Sequence, residues 1–273
     1  MSTTTNRLLL IGCGKMGSAM LQGWLDRDLD YRVTVVEPGG PSDRFQGLPN
    51  ISAVADSGSL VADYRADVMV IAVKPQILAD IMSAYTPFLR ADTLVISIAA
   101  GVMLQGLATA LGRTGPIVRA MPNTPAAIGH GMSVLVANEA VSKSGRDTAS
   151  RLMAAVGDIA WIDDEADMDA VTALSGSGPA YVFHMIEAMA AGGVALGLEP
   201  ELAMRLARAT LSGSGELVRR ASDDAACLRA NVTSPGGTTA AALGVLMGEQ
   251  GLSPLVKAAM VAARDRSREL GQP

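Results

Sequence analysis

Residues Arg7 to Trp24 read RLLLIGCGKMGSAMLQGW and join a short apolar run to three spaced glycines and a second apolar segment. The run from Arg7 to Ile11 has the length and composition of a buried strand, and Met16 to Trp24 has apolar residues at helical spacing. A G-x-G-x-x-G motif between a strand and a helix indicates dinucleotide binding. A glycine-rich turn without a ligand is the alternative.

The three glycines of this motif have separate physical reasons. Gly12 permits a tight turn, Gly14 lets the backbone approach a pyrophosphate, and Gly17 lets the helix pack closely on the strand. A second strand, Arg32 to Val36, ends at Glu37. An acidic side chain there accepts from the adenosine ribose hydroxyls and repels a 2′-phosphate, so Glu37 gives a modest tilt towards NADH.

Two features keep the choice between NADPH and NADH open. Arg44 follows seven residues after Glu37 and is able to meet a phosphate. Glu37 is also compatible with an ordinary solvated strand end.

Further apolar runs of strand length alternate with helical patterns, which predicts a mainly parallel sheet covered on both faces. The predicted strands are Asp67–Val73, Thr93–Ala99, Ile117–Ala120, Met132–Ala137 and Ile159–Ile162, with a helix over Ser142–Val156. Lys74-Pro75, Ala100-Gly101 and the stiff loop Met121–Pro125 follow strands at the edge where such sheets bind ligands. A solvated charge at a strand end is the alternative for Lys74.

Beyond Asp164 the strand-like runs stop. Helical patterns cover Met168–Leu174, a segment beginning at Pro179 after a serine cap and reaching Ala195, Glu201–Arg220 and Leu255–Leu270. Ala, Gly and Met lie on most faces of these helices, so they must be buried. The sequence predicts an α/β Rossmann-type domain over residues 1–163, an all-helical domain over 164–273, and an obligate dimer, because so small a bundle has too little interior to bury those faces.

The stretch VTSPGGTTAAAL, Val232 to Leu243, is the second organising feature. Pro235 and the pair Gly236-Gly237 exclude regular structure, and Thr238 opens a plausible helix. A glycine turn that opens a helix presents free N–H groups and a positive dipole end, which favour an anion such as a small carboxylate. An ordinary loop with a helix cap is the alternative.

Composition excludes several classes of function. A formal charge of −5 provides no basic footprint for nucleic acid. Cys13 and Cys227 do not form a disulfide framework, and with His130 and His184 as the only histidines we expect no metal site. The start MSTTTNRLLLIG has too short an apolar run for a signal peptide, and no apolar stretch reaches membrane-spanning length, so we expect a cytoplasmic protein.

Six motifs in order resemble the Δ1-pyrroline-5-carboxylate reductase family, which catalyses the last step of proline biosynthesis. The motifs are GCGKMG (Gly12–Gly17), AVKP (Ala72–Pro75), SIAAG (Ser97–Gly101), MPNTP (Met121–Pro125), ALSGSGPAYVF (Ala173–Phe183) and VTSPGGTTAAAL. The resemblance implies a carboxy-terminal domain that interlocks with a partner into dimers, which often assemble into decamers.

The resemblance also implies roles for individual residues. Nucleotide contacts are expected from Gly12, Cys13, Gly14, Lys15, Met16, Gly17, Glu37, Ala72, Val73, Lys74, Pro75, Ala99, Ala100 and Asn123. Substrate contacts are expected from Ser177, Ser234, Gly236, Gly237, Thr238 and Thr239. Of these, Thr239 is the candidate catalytic residue, as a hydrogen-bond partner of the ring nitrogen. Ser222–Ala226 departs from the family pattern, and no contact is carried over to it.

The implied reaction is hydride transfer from NADPH or NADH to the imine carbon of the pyrroline ring. A protonated cyclic imine is already electrophilic, so orientation and exclusion of water suffice. A structural role is therefore favoured for both His130 and His184. One alternative is a β-hydroxyacid dehydrogenase, against which the lack of a lysine between Lys143 and Lys257 counts. The other is a nucleotide sensor without turnover, for which a substrate clamp would have no use.

Overall fold

The computed structural model describes residues 6–271 and forms two compact units. The first extends to Gly176 and takes in the chain again from Arg264, and the second spans Ser177–Ala263. The first five residues, on which the signal-peptide expectation partly depends, lie outside the described part of the chain.

Within residues 6–271, the first unit is built on one eight-stranded sheet. The strands are β1 (Asn6–Ile11), β2 (Tyr31–Val36), β3 (Ile51–Val54), β4 (Ala66–Ile71), β5 (Leu89–Ser97), β6 (Ile117–Met121), β7 (Gly131–Ala137) and β8 (Gly157–Trp161). Their spatial order is β3-β2-β1-β4-β5-β6-β7-β8. Seven of these strands were predicted, and the expected α/β class with a mainly parallel sheet is confirmed.

Neighbouring strands run parallel except for β6 and β7. Parallel neighbours need a crossover of a dozen or more residues. The link from β6 to β7 is shorter than that and holds only a 3₁₀ turn over Thr124–Ile128, so β7 turns back beside β6. The strand β3 was not predicted, because it is a four-residue edge strand with one neighbour, β2, and no continuous apolar run.

Helices cover both faces of the sheet, as the apolar runs predict. The helices are α1 (Lys15–Asp26), α2 (Pro75–Met82), α3 (Leu104–Ala110) and α4 (Lys143–Ala154). Alternate residues of β1 enter opposite cores: Leu8 packs with residues of α1 and α4, and Leu9 with residues of α2 and α3. Two-sided burial explains why β1 reads as a continuous apolar run rather than an alternating one.

The remainder of the described chain is helical, as predicted. Its helices are α5 (Met168–Val171), α6 (Gly178–Ala195), α7 (Pro200–Arg220), α8 (Ala225–Asn231), α9 (Thr238–Leu246) and α10 (Leu252–Leu270). A π-helical turn over Thr172–Gly176 follows α5. The non-helical gap that the sequence predicts between Leu174 and Pro179 is therefore shorter than expected. None of the helices within residues 6–271 is long and apolar enough to cross a membrane.

Two local predictions for this helical part were wrong. Ser177 has helical backbone angles, φ −84° and ψ −23°, and its hydroxyl caps nothing, so α6 begins at Gly178 rather than at Pro179. The short helix α8 was missed, although Asp224 opens it by accepting a hydrogen bond from the Cys227 N–H at 2.7 Å. An acidic residue before Ala225-Ala226 is an N-cap signal that the sequence does carry.

Candidate active site

The glycine loop after β1 has the geometry that its sequence predicts. Gly12 has φ +89°, and a Cβ there would lie 2.8 Å from the carbonyl oxygen of Ala72. A Cβ at Gly17 would lie 2.3 Å from the carbonyl oxygen of Gly12. The first and third glycines are therefore required by the fold, because backbone atoms of the loop and of the end of β4 fill the space that a side chain would need.

The middle glycine is required by nothing in the chain itself. Gly14 is exposed, its φ is −67°, and a Cβ there would meet no atom within 4 Å. Gly14 also occupies the N-cap position of α1 and has no side chain with which to cap it. The first-turn N–H groups of α1 thus form a place where an anion is favoured by both hydrogen bonding and the helix dipole.

Glu37 bridges the end of β2 to this loop. Its Oε2 accepts a hydrogen bond from the Cys13 N–H at 2.6 Å. The Ser18 hydroxyl donates to the Cys13 carbonyl at 2.7 Å. The guanidinium of Arg44 lies 4.5 Å from the centre of the Phe45 ring, with one nitrogen 3.5 Å from the Ser18 carbonyl. A carboxylate and a guanidinium therefore both lie beside the start of α1.

Cys13 differs in surroundings from the rest of the loop. Its side chain belongs to the buried core on the α1 face of the sheet. Burial raises the pKa of the Cys13 thiol, the hydrogen bond with Ser18 lowers it, and the nearby Glu37 carboxylate adds to the increase. The thiol is therefore protonated at neutral pH and is not a nucleophile. Any contact of Cys13 with a nucleotide would come from its backbone.

A cleft of about 750 Å³ opens at the carboxyl ends of β1, β2, β3 and β4. It brings together six of the residues predicted to contact the nucleotide: Gly12, Gly14, Glu37, Ala72, Val73 and Lys74. Lys74 is exposed at the N-cap position of α2, and Pro75 begins that helix. The volume is within the range of small-molecule sites, and its place is the ligand edge of a parallel sheet.

The cleft also has lining residues that the sequence did not point to. They come from the turn after β3 and from one face of α2, among them Asp56, Ser57, Ile77, Asp80 and Ile81. Asp56 caps its own turn by accepting from the Ser59 N–H at 2.9 Å. Asp56 and Ser57 begin the sequence DSGS, whose residue types favour a turn. This turn indicates a place in the cleft only when the apolar segment before it is recognised as strand β3.

The loops after β5 and β6 carry the other predicted nucleotide contacts of the first unit. Ala99 is buried and Ala100 is exposed. Asn123 is held on both sides: its Oδ1 accepts from the Met132 N–H at 2.8 Å, and its Nδ2 donates to the carbonyl and hydroxyl of Ser175, each at 3.3 Å. The Asn123 side chain therefore connects its loop to β7 and to the π-helical turn.

The SPGGTT stretch lies in the second unit and forms a tight turn that opens α9. The Gly237 N–H donates to the Ser234 carbonyl at 3.1 Å, with Pro235 and Gly236 between them. Gly236 has φ +70°, as the third position of a type II turn requires. A Cβ at Gly237 would lie 2.5 Å from the Ser234 hydroxyl oxygen. Gly236 is thus needed for this conformation, whereas a side chain at Gly237 would require the Ser234 hydroxyl to rotate away.

Helix α9 begins directly after that turn, at Thr238, as the sequence predicts. Gly237 is its N-cap residue and has no side chain to satisfy the first N–H groups. Ser234 and Thr238 are exposed and Thr239 is half-buried. The predicted substrate-binding residues of this stretch therefore surround a helix start whose N–H groups have no intrahelical partner. The remaining one, Ser177, precedes α6 and is half-buried.

The histidines show no catalytic arrangement. His184 is 82% exposed on α6, and its Nδ1 lies 3.2 Å from a Glu187 carboxylate oxygen one turn on. His130 is exposed in the loop before β7. Among the described residues, no group of three or more His, Cys, Asp or Glu side chains is placed to hold a metal ion.

Two protein-family models match the chain. The model described as "NADP oxidoreductase coenzyme F420-dependent" matches residues 7–101, which hold the glycine loop and most of the cleft. The model described as "Pyrroline-5-carboxylate reductase dimerisation" matches residues 165–270, which hold the SPGGTT turn.

Relatives match the chain over almost its whole length. The pyrroline-5-carboxylate reductase of Pseudomonas aeruginosa is 40% identical over 271 residues, which cover 98% of each protein. The solved structure of a pyrroline-5-carboxylate reductase from Coxiella burnetii is 33% identical, has a TM-score of 0.87 and covers 99% of this chain and 100% of its own. The structure of Plasmodium falciparum pyrroline carboxylate reductase with NADP bound is 30% identical, with a TM-score of 0.80 over 98% of both chains.

These matches confirm the resemblance that the six motifs indicate. They include the glycine loop after β1 and the SPGGTT turn before α9 in one continuous similarity. The fold similarity extends over the same length. This chain therefore belongs to the pyrroline-5-carboxylate reductase family of oxidoreductases.

Proposed function

We propose that the chain is an NAD(P)H-dependent pyrroline-5-carboxylate reductase, which reduces Δ1-pyrroline-5-carboxylate to L-proline as the last step of proline biosynthesis. The observation that carries this proposal is the identity of 40% to a reductase of that name over 98% of both proteins. The glycine loop with its cleft and the SPGGTT turn supply the two binding elements that such a reaction needs.

The first unit fits a dinucleotide. A bound pyrophosphate would lie against Gly14, where no atom occupies the position of a side chain, and against the N–H groups at the start of α1. Ala72, Val73, Lys74 and Pro75 would line the nucleotide from the end of β4. Ala99 and Ala100 would also line the nucleotide, and Asn123 would lie near its nicotinamide. When bound, the reduced nicotinamide supplies the hydride.

The second unit would supply the substrate clamp. The carboxylate of the pyrroline ring would accept from N–H groups at the start of α9 and from the hydroxyls of Ser234 and Thr238. Gly236 and Gly237 would let the ring approach the backbone, and Ser177 would border it. Thr239 is the proposed catalytic residue, because its hydroxyl would hold the ring nitrogen.

The proposed reaction needs no general acid or base from the protein. The imine of the pyrroline ring is protonated before it is reduced, so the hydride adds to the imine carbon and the nitrogen keeps its proton. The clamp would fix the orientation of the ring and would exclude water, and orientation of this kind can remove a large share of the barrier in two-reactant reactions. No catalytic role is therefore proposed for His184.

The choice of cofactor follows from Glu37 and Arg44. The Glu37 carboxylate lies beside the glycine loop, where it would accept from ribose hydroxyls and repel a 2′-phosphate. Arg44 lies near enough to α1 to offer a phosphate a cation. We propose a modest preference for NADH, with NADPH also used.

Self-association would bury the apolar surface of the helical unit. Leu196 is 88% exposed, Val245 75% and Leu255 64%, in a region that matches a dimerisation domain. The proposal is a homodimer in the cytoplasm, and the family resemblance adds a decamer of such dimers as the larger assembly to be tested. Light scattering would report two or ten times the 28.1 kDa of one chain. The domain boundary between residues 163 and 164 stays a prediction.

The decisive experiment measures initial rates of NADH and NADPH oxidation at matched concentrations, with and without pyrroline-5-carboxylate. Oxidation that depends on the imine and forms proline is the expected result. A folded protein that binds either cofactor but oxidises neither would favour a nucleotide sensor instead. The ratio of the two rates would report the cofactor preference.

A further inference from the structure

A buried ion pair lies close to two loops that carry predicted nucleotide contacts, Ala99 and Ala100 after β5 and Asn123 after β6. Arg119 on β6 donates from Nη1 to Oε1 of Glu165 at 2.9 Å. The side chains are 5% and 18% exposed. A guanidinium buried to this degree needs a carboxylate partner, because an unpaired charge inside a protein is strongly disfavoured.

The same carboxylate oxygen has a second partner. Oε1 of Glu165 also accepts from the N–H of Leu104 at 2.8 Å. Leu104 is the first residue of α3, whose N-cap residue is Met103 and has no capping side chain. Glu165, which follows Leu104 by 61 positions, therefore replaces the local cap of that helix.

The two partners of Glu165 lie next to these two loops, Leu104 at the start of α3 and Arg119 in β6. Leu104 follows Ala99 and Ala100, and Arg119 precedes the loop Met121–Pro125 that holds Asn123. In the sheet, Arg119 is paired with Ser97, the last residue of β5. The Glu165 carboxylate therefore links the start of α3, which follows the loop after β5, to strand β6, which leads into the loop Met121–Pro125.

We propose that Glu165 is a positioning residue that fixes the separation of these two loops and hence the nicotinamide end of the cofactor. The role rests on the proposed reductase function. Glu165 itself would touch neither cofactor nor substrate. It acts through the backbone of α3 and through Arg119.

The test compares Glu165→Gln with the wild type. Glutamine keeps the shape and one acceptor oxygen but removes the charge that Arg119 needs, so the loops should lose their fixed separation. Displacements near 1 Å can cost about a hundredfold in rate, so kcat should fall by about ten- to a hundredfold. Affinity for NADH should weaken by at least about threefold while affinity for ADP-ribose, which lacks nicotinamide, changes by less than about twofold.

A matched control is Glu139→Gln, which removes an exposed carboxylate from the same unit and should change neither kcat nor either affinity. A kcat of Glu165→Gln near the wild-type value, or equal losses of NADH and ADP-ribose affinity, would overturn the positioning role. If Glu165→Gln does not fold, Arg119→Lys tests the same bridge, since lysine keeps the charge but not the planar fork. A wild-type kcat in that variant would likewise overturn the proposal.

A failure of the positioning role of Glu165 can be distinguished from a failure of the proposed reductase function. A wild-type protein without imine-dependent oxidation would contradict the reductase function, whatever Glu165 does. The comparison of NADH with ADP-ribose binding would still decide whether Glu165 positions the nicotinamide end.

Discussion

Alanine substitutions at Gly12 and Gly14 distinguish a glycine that the fold requires from one that cofactor binding requires. At Gly14 a Cβ meets no atom within 4 Å and φ is −67°, so the backbone suits alanine. We expect Gly14→Ala to change the free energy of unfolding by less than about 0.5 kcal/mol. The new methyl group would occupy the place where a pyrophosphate approaches, so affinity for NADH and NADPH should fall by tenfold or more, about 1.4 kcal/mol.

At Gly12, in contrast, alanine should reduce the stability of the fold. Its φ of +89° would strain alanine by about 1–3 kcal/mol. The Cβ at 2.8 Å from the Ala72 carbonyl oxygen adds an overlap of about 1–3 kcal/mol, because backbone cannot move aside easily. For a chain of this size each kcal/mol lowers Tm by about 2–4 °C, so Gly12→Ala should lower Tm by about 4–24 °C.

Gly112→Ala is the matched control for strain alone. Gly112 has φ +61° and a Cβ there meets no atom within 4 Å, so the variant should lose only about 1–2 kcal/mol. Thermal unfolding gives the three Tm values, and nicotinamide fluorescence gives the affinities. The reasoning fails if Gly14→Ala binds either cofactor as well as the wild type, or if Gly12→Ala is no less stable than Gly112→Ala.

Three further changes test the remaining site residues. Glu37→Gln keeps an acceptor for the Cys13 N–H but removes the negative charge. Selectivity should shift towards NADPH by about 1–3 kcal/mol, or about five- to 150-fold in the ratio of kcat/KM values, and an unchanged ratio would contradict the role of Glu37. Thr239→Ala should lower kcat/KM for the imine by about ten- to a hundredfold with cofactor affinity intact, since a hydrogen bond to a charged group contributes about 1.5–3 kcal/mol. The exposed Thr114→Ala is its control, and equal damage to cofactor binding would mean that Thr239 is structural. In a Cys227→Ser background, Cys13 should resist iodoacetamide at neutral pH and react faster as pH rises through its elevated pKa, because only the thiolate reacts; rapid labelling at neutral pH, followed by mass spectrometry, would contradict its burial.

Much of the fold is readable from the sequence because its signals are local. A strand buried on both faces, such as β1, must be apolar at successive positions, and Gly12 next to it has a positive φ that residues with a side chain rarely adopt. The exceptions are elements whose evidence lies elsewhere in the chain. The edge strand β3 is specified by its pairing with β2, and Ser177 looks like a cap although its backbone is helical.

The residues of the candidate site likewise fall into those with a local sequence signal and those whose position depends on distant parts of the chain. Gly12 and Gly236 were identifiable because each has a positive φ, a property of the immediate backbone, and Gly14 and Gly237 were identifiable because short local motifs contain them. Asp56 and Ser57 were not, because they reach the cleft only through the position of β3 in the sheet. Glu165 was missed for a stronger reason: its partners lie 46 and 61 positions away, and no spacing rule connects them.

Asn123 shows how a motif can identify a residue without identifying its action. The MPNTP loop marks it as a neighbour of the nicotinamide, which stays a prediction. In the structure its carbonyl oxygen accepts from Met132 and its amide nitrogen donates to Ser175, so both ends of the side chain are engaged within the first unit. Together with Glu165, which joins Leu104 to Arg119, it holds the loop after β6 from a second side. Loss of the Asn123 side chain would then release the loop after β6 as well as remove its proposed contact with the nucleotide, so its effect on the reaction should include the loop displacement expected from the loss of Glu165.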